Sequence, residues 1–122
     1  SNMDSGTFYP MQAAAAEALD LGDEWYCSLN AVYKGREKLG FELLDLLGCT
    51  YVPQQAGLFV WGRLPEALGD GFRCSDKFLY GCGVFMTPGG IFGSEGDPYI
   101  RISLCSPEAT LREAIDRIKT QL

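Results

Sequence analysis

The stretch from Gly83 to Ser106, GVFMTPGGIFGSEGDPYIRISLCS, constrains the fold of this chain most. Val84 to Met86 reads as a short apolar strand that meets a proline–glycine turn. A glycine-rich loop then leads into a second apolar strand, which carries one cation, Arg101, between Ile100 and Ile102. A guanidinium flanked by two isoleucines is either paired with a carboxylate of the same protein or kept for an anionic ligand. On the residues alone both readings stay open.

The rest of the chain supplies helices to cover such strands. Phe8 to Leu21 predicts a first helix, built on Ala13 to Ala16 and stopped by Gly22. Asp23 is placed to cap a second. Trp25, Leu29, Val32, Leu39, Leu43 and Leu46 step by fours and threes with Arg36 in the one gap, so the spacing predicts a long amphipathic helix ended by Gly48. Lys34 and Lys38 fall on its solvated side. Tyr51-Val52-Pro53 reads as a short edge strand and Leu58 to Leu64 as a strand apolar on both faces. Pro65 to Gly71 reads as loop, and Ser75 is placed to cap a short helix through Tyr80 that ends at Gly81 and Gly83. Ser106-Pro107-Glu108 marks a final helix start, with a capping side chain, a proline at the first helical position and an early acid. Leu111, Ala114, Ile115, Ile118 and Leu122 supply its buried face, and Arg112, Arg117 and Lys119 its polar side and last turns.

This order predicts an α+β two-layer sandwich, a small, mostly antiparallel sheet of three to four strands covered by helices and preceded by a long amphipathic helix. The first helix is expected to pack against something this chain does not contain.

Composition narrows the function classes. At 122 residues the chain is one domain's worth, and 47% hydrophobic residues with a mean hydropathy of −0.01 point to a soluble globular protein. A net charge of −6 argues against nucleic-acid binding, which needs clustered Lys and Arg. No run approaches the ~18 apolar residues of a membrane span. The start, SNMDSGTFYP, lacks the basic and apolar regions of a signal peptide. The five cysteines (Cys27, Cys49, Cys74, Cys82, Cys105) are odd in number, with no CxxC, and there is no histidine, so no metal site is expected. Reduced thiols packed as small hydrophobes in a cytoplasmic protein are the plain reading. Absence of histidine also removes the commonest general base, leaving this chain poorly equipped for catalysis by itself. The loop TPGGIFGSEG fails the tests for a phosphate cradle, having neither GxxxxGK[ST] nor GxGxxG opening a helix. Glu95 and Asp97 within it are expected to be solvated.

Taken in order, Pro53, Gly57, Phe59 and Trp61, then Gly83-Val84, Pro88-Gly89, Phe92-Gly93, Gly96, Tyr99, Arg101 and Ser103 resemble the C-terminal third of a class I/II, fold-type I aminotransferase. Ser106-Pro107-Glu108 and Arg117-Ile118 continue the likeness. Ser1 to Gly6, Phe8, Pro10 and Gln12 ahead of the alanine-rich helix are similar to the segment after the cofactor lysine in the diaminopimelate and alanine aminotransferase-like branch.

The resemblance implies an enzyme that uses pyridoxal 5′-phosphate to exchange an amino group between an amino acid and a 2-oxo acid, working as a cytoplasmic homodimer with no nucleic-acid or membrane partner. It implies that Arg101 grips the substrate's α-carboxylate, and that Ser1 and Asn2 lie near the partner subunit's active site. None of the chain's four lysines (Lys34, Lys38, Lys77, Lys119) stands in the Ser/Thr-rich segment where the family keeps its cofactor lysine. The chain therefore reads as a fragment that cannot transaminate alone: residues 1–22 as a helix leaving the large domain or interface, and 23–122 as the small C-terminal domain. Ser1-Asn2 reads either as a remnant of tag removal ahead of Met3 or as native sequence following that lysine, as a cut after a basic residue leaves it; the second reading is preferred. Two alternatives stay open: a stand-alone amino-acid-binding or regulatory α+β module, and another fold-type I enzyme such as a carbon–sulfur lyase.

Overall fold

The computed structural model describes residues 6–122, in two compact units, one ending at Val32 and the other spanning Tyr33–Leu122. In the first unit, α1 (Tyr9–Leu19) carries a proline in its opening turn and buries none of its residues. Phe8, Tyr9, Met11 and Leu19 are all exposed. Beyond Gly22, α2 (Asp23–Leu46) has the length that the seam predicts. Asp23 is its first helical residue rather than its cap, and with Glu24 it places two carboxylates where they offset the helix dipole. The boundary between the units falls inside α2. It coincides with a change in the seam: Trp25, Leu29 and Val32 are exposed, whereas Leu39, Leu43 and Leu44 are buried.

The second unit is built on a three-stranded antiparallel sheet, ordered β1 (Phe59–Arg63), β3 (Tyr99–Ser103), β2 (Thr87–Pro88). Val60, Ile100 and Ile102 point inward. They meet Leu39, Leu43 and Leu44 of α2, Phe78 of α3 (Gly71–Cys82), and Leu111, Ile115 and Ile118 of α4 (Glu108–Lys119) in one core. Each such large side chain contributes roughly 1.5–3 kcal/mol on burial. Gly40 lets α2 approach the sheet closely, since a Cβ there would stand 3.0 Å from Val60 Cγ2 and 3.2 Å from Leu104 Cδ2. Arg36, the gap in the seam, donates from Nη1 to the carbonyls of Leu104 and Cys105 just past β3 and stacks against Tyr33.

Several local expectations give way to tertiary structure. Tyr51-Val52-Pro53 is not a strand: Thr50 alone bridges Arg63, because the side-chain amide of Gln55 takes the next positions on the edge of β1. Its Nε2 donates to the Trp61 carbonyl at 2.9 Å and its Oε1 accepts from the Trp61 N–H at 2.8 Å. Val84 to Met86 is also irregular, with pairing delayed to Thr87 and Pro88. The Met86 carbonyl is held at 2.7 Å by the hydroxyl of Ser75, which lies buried in mid-helix. The cap of α3 is Asp70, whose carboxylate accepts from the Arg73 N–H at 2.9 Å. α3 runs on past the end expected at Tyr80, through Gly81 to Cys82, and is capped by Gly83 in the left-handed region at φ 70°. At α4 the capping position belongs to Pro107, without a side-chain hydrogen bond from Ser106, and Leu122 lies beyond the helix, exposed.

Candidate functional site

Arg101 sits at the middle of the central strand, opposite Trp61 on one side and Thr87 on the other. Because alternate residues of a strand face opposite ways, burial of Ile100 and Ile102 turns Arg101 outward, onto the face shared with Phe59, Trp61 and Tyr99. The guanidinium carbon stands 4.0 Å from the centre of the Phe59 ring and 4.6 Å from that of Phe92. Phe92 in turn meets the Trp61 ring edge-on, with centroids 5.5 Å apart.

Among the described residues this cation has no carboxylate partner. Among the described residues the ion pairs join Arg117 to Glu113 and Lys119 to Glu42, and no carboxylate lies within 4.0 Å of Arg101. Its Nε is buried without a hydrogen-bond partner. Glu95 and Asp97, the nearest acids in sequence, are exposed. The internal salt bridge is thus not formed among the described residues, and no described carboxylate takes up the donors of this guanidinium. Beside the two-residue β2 a cavity of about 480 Å³ opens, lined by Thr87, Arg101, Ser103, Ser106 and Arg117 among others.

The glycine-rich loop delivers β3 and also builds the site. It folds into two 3-10 turns, Gly89–Phe92 and Ser94–Gly96. The loop lies so close to the sheet that a Cβ on Gly89 would collide with the carbonyls of Gly96 and Tyr99. The Gly71 N–H donates to the Asp97 carbonyl at 2.7 Å, fixing the start of α3 to the same loop.

The lysines lie elsewhere. Lys34 and Lys38 are exposed on α2 and Lys77 is exposed on α3, while Lys119 pairs with Glu42 at 3.8 Å. None is on the face of Arg101, so the described residues do not by themselves fit a lysine-bound pyridoxal phosphate. Ser1 and Asn2 lie outside the described residues.

With this geometry in place, comparison with known proteins is decisive. The family model "Aminotransferase class I and II" matches residues 4–118. The chain belongs to that family. It is 40% identical over 120 residues to an LL-diaminopimelate aminotransferase of Oleidesulfovibrio alaskensis, covering 96% of this chain and 30% of the relative. A protein of the same name from Gloeobacter violaceus is 36% identical over 119 residues, again with 30% of its length covered. Among solved structures, substrate-bound BacF of Bacillus subtilis superposes with a TM-score of 0.80 at 34% identity, over 95% of this chain and 30% of that one. A probable N-succinyldiaminopimelate aminotransferase of Thermus thermophilus does so with a TM-score of 0.74 at 33% identity, over 87% and 28%. The chain therefore spans about 30% of the length of the relatives it matches. The α+β fold expected from the sequence is that of these aminotransferase structures.

Sequence reasoning named Arg101 but missed its surroundings. Phe59 and Phe92 stand 33 positions apart in the sequence (92 − 59), and their convergence on the guanidinium depends on the loop folding back over the sheet. Gln55 carried no signal, because a glutamine in a turn is ordinary.

Proposed function

We propose that the longer protein carrying this chain is a pyridoxal 5′-phosphate-dependent aminotransferase that exchanges an amino group between an amino acid and a 2-oxo acid, with Arg101 as the anchor for the substrate's α-carboxylate. On this reading residues 23–122 are its small C-terminal domain, residues 1–22 lead in from the large domain, and the cofactor lysine lies in sequence preceding Ser1. The intact protein works as a homodimer. When bound, the cofactor supplies the electron sink for the amino-group exchange. This chain's own contribution is to recognise and orient the carboxylate.

One observation carries the reading: an arginine on the central strand of a family member, held by two aromatic rings and without a carboxylate partner among the described residues. A strand holds the planar donor fork more rigidly than a loop, which suits a two-point grip on a carboxylate. In the full-length protein, Arg101→Ala is expected to lower kcat/KM for amino-acid donors by the equivalent of about 2–5 kcal/mol, the usual cost of stranding a charged partner. An unchanged kcat/KM refutes the assignment. Tight calorimetric binding of an amino acid by the 122-residue chain alone would favour a stand-alone sensing module instead. Release of a thiol from a cysteine-like substrate, with no amino transfer, would favour a lyase.

A further inference from the structure

Resting on the reading of Arg101 as an anion anchor, we propose that Phe92 is a positioning residue for substrate binding, one jaw of an aromatic clamp with Phe59 that fixes the direction in which the Arg101 guanidinium presents its donors. Three observations converge on this. The guanidinium carbon lies 4.0 Å and 4.6 Å from the two ring centres, inside the range in which a cation is attracted to an aromatic face. The Nε is buried and unpartnered, so what remains to meet a ligand is the far end of the fork, Nη1 and Nη2. And Phe92 is 55% exposed, far more than a residue placed there for core packing, yet it is braced edge-on by Trp61.

The physical case for a clamp is entropic. An arginine side chain carries large rotamer entropy, and an anchor that must be ordered at each binding event loses affinity accordingly. Aromatic contacts that order the guanidinium beforehand remove part of that loss while leaving its charge unpaired. An internal carboxylate would order it too, but would compete with the substrate. The loop makes such a clamp stiff. Gly89 packs backbone against backbone on Gly96 and Tyr99, and a Cβ on Gly90 would meet the ring of Phe72 from α3. Phe92 is thus presented from a platform tied to both the sheet and α3.

The test is a mutant cycle in the full-length protein, read by steady-state kinetics with an amino-acid donor and by the inhibition constant of a plain aliphatic carboxylate. Phe92→Leu keeps an apolar side chain and removes the ring face. It is expected to raise KM and that inhibition constant about 3- to 10-fold while leaving kcat within about twofold. Phe92→Tyr restores both constants. In the Arg101→Ala background, Phe92→Leu adds nothing further, because the ring has no cation left to hold. On the 122-residue chain, the ring-current displacement of the Arg101 side-chain N–H resonance shrinks in Phe92→Leu and persists in Phe92→Tyr. If Phe92→Leu leaves KM and the inhibition constant unchanged while Arg101→Ala raises them, the clamp is wrong and the anchor stands. If Arg101→Ala itself changes neither, the anchor fails and the clamp with it. Equal losses from Phe92→Leu with and without Arg101 overturn the clamp in favour of a purely structural loop residue.

Discussion

Ser75 ties an irregular segment to a helix through one hydroxyl, and its worth can be measured. Its side chain is buried in α3 and donates to the Met86 carbonyl at 2.7 Å, where the chain turns from α3 toward β2. Ser75→Ala keeps the helix propensity but leaves that carbonyl unsatisfied next to the core, a loss of about 1–3 kcal/mol. Urea unfolding is expected to show a lower midpoint with an unchanged slope; an unaltered midpoint would mean that water replaces the hydroxyl at no cost. The sequence suggests a different role for this serine, as a cap, because Ser ahead of an apolar run is a strong local signal. What it does not reveal is that Asp70 already caps the helix five residues earlier (75 − 70), with Gly71 as the first helical residue. Gly71 looks like a turn residue in sequence. It is needed instead because a Cβ there would strike the Tyr99 carbonyl. Arg101 was legible for the opposite reason, since a cation among isoleucines is conspicuous on a strand whatever surrounds it.

At the scale of elements, α1 and α2 show what periodicity can and cannot say. The seam of α2 predicted its length, because a three-and-four spacing needs no knowledge of the partner. It did not predict that only its second half is buried, because which part of a helix is covered depends on what else is present. α1 is the sharper case, being eleven residues long with no buried side chain. Isolated helices of that length are marginal in water even when rich in alanine. Amides of Tyr9–Leu19 are therefore expected to exchange with solvent within seconds, while those of Leu39 to Leu46, against the core, are protected close to the global stability. Hydrogen exchange read by mass spectrometry separates the two. Strong protection of α1 in the isolated chain would mean that it is covered, most simply by a second copy. The short β2 belongs to the same lesson: two residues pair, and no alternation rule detects a strand of that length.

For the molecule as a whole, the buried thiols set a limit on alkaline stability. Cys49 and Cys74 lie in the core, and burial pushes their pKa values up from 9.0, to about 12 and about 11 respectively, because the thiolate has lost its hydration. Folding thus favours the protonated form. Below pH 9 both states hold these protons and stability is independent of them; as pH rises from 9 toward 11 and 12 the unfolded chain releases protons that the native state keeps, so stability falls. A net charge of −6 pushes in the same direction, since deprotonating lysines and tyrosines adds to self-repulsion. Salt separates the two effects. Repulsion between surface charges is screened within about 8 Å at physiological ionic strength, whereas the cost of a buried thiolate is not. Urea midpoints measured from pH 8 to 11 are expected to decline at both low and high salt, and Cys74→Ala is expected to flatten the high-salt part of that decline. At pH 8 a thiol reagent should label Cys27 and Cys105, which are exposed, at once, and Cys49 and Cys74 only as fast as the chain opens. A flat high-salt profile, or immediate labelling of Cys49 and Cys74, would show that these thiols are not held in a closed core.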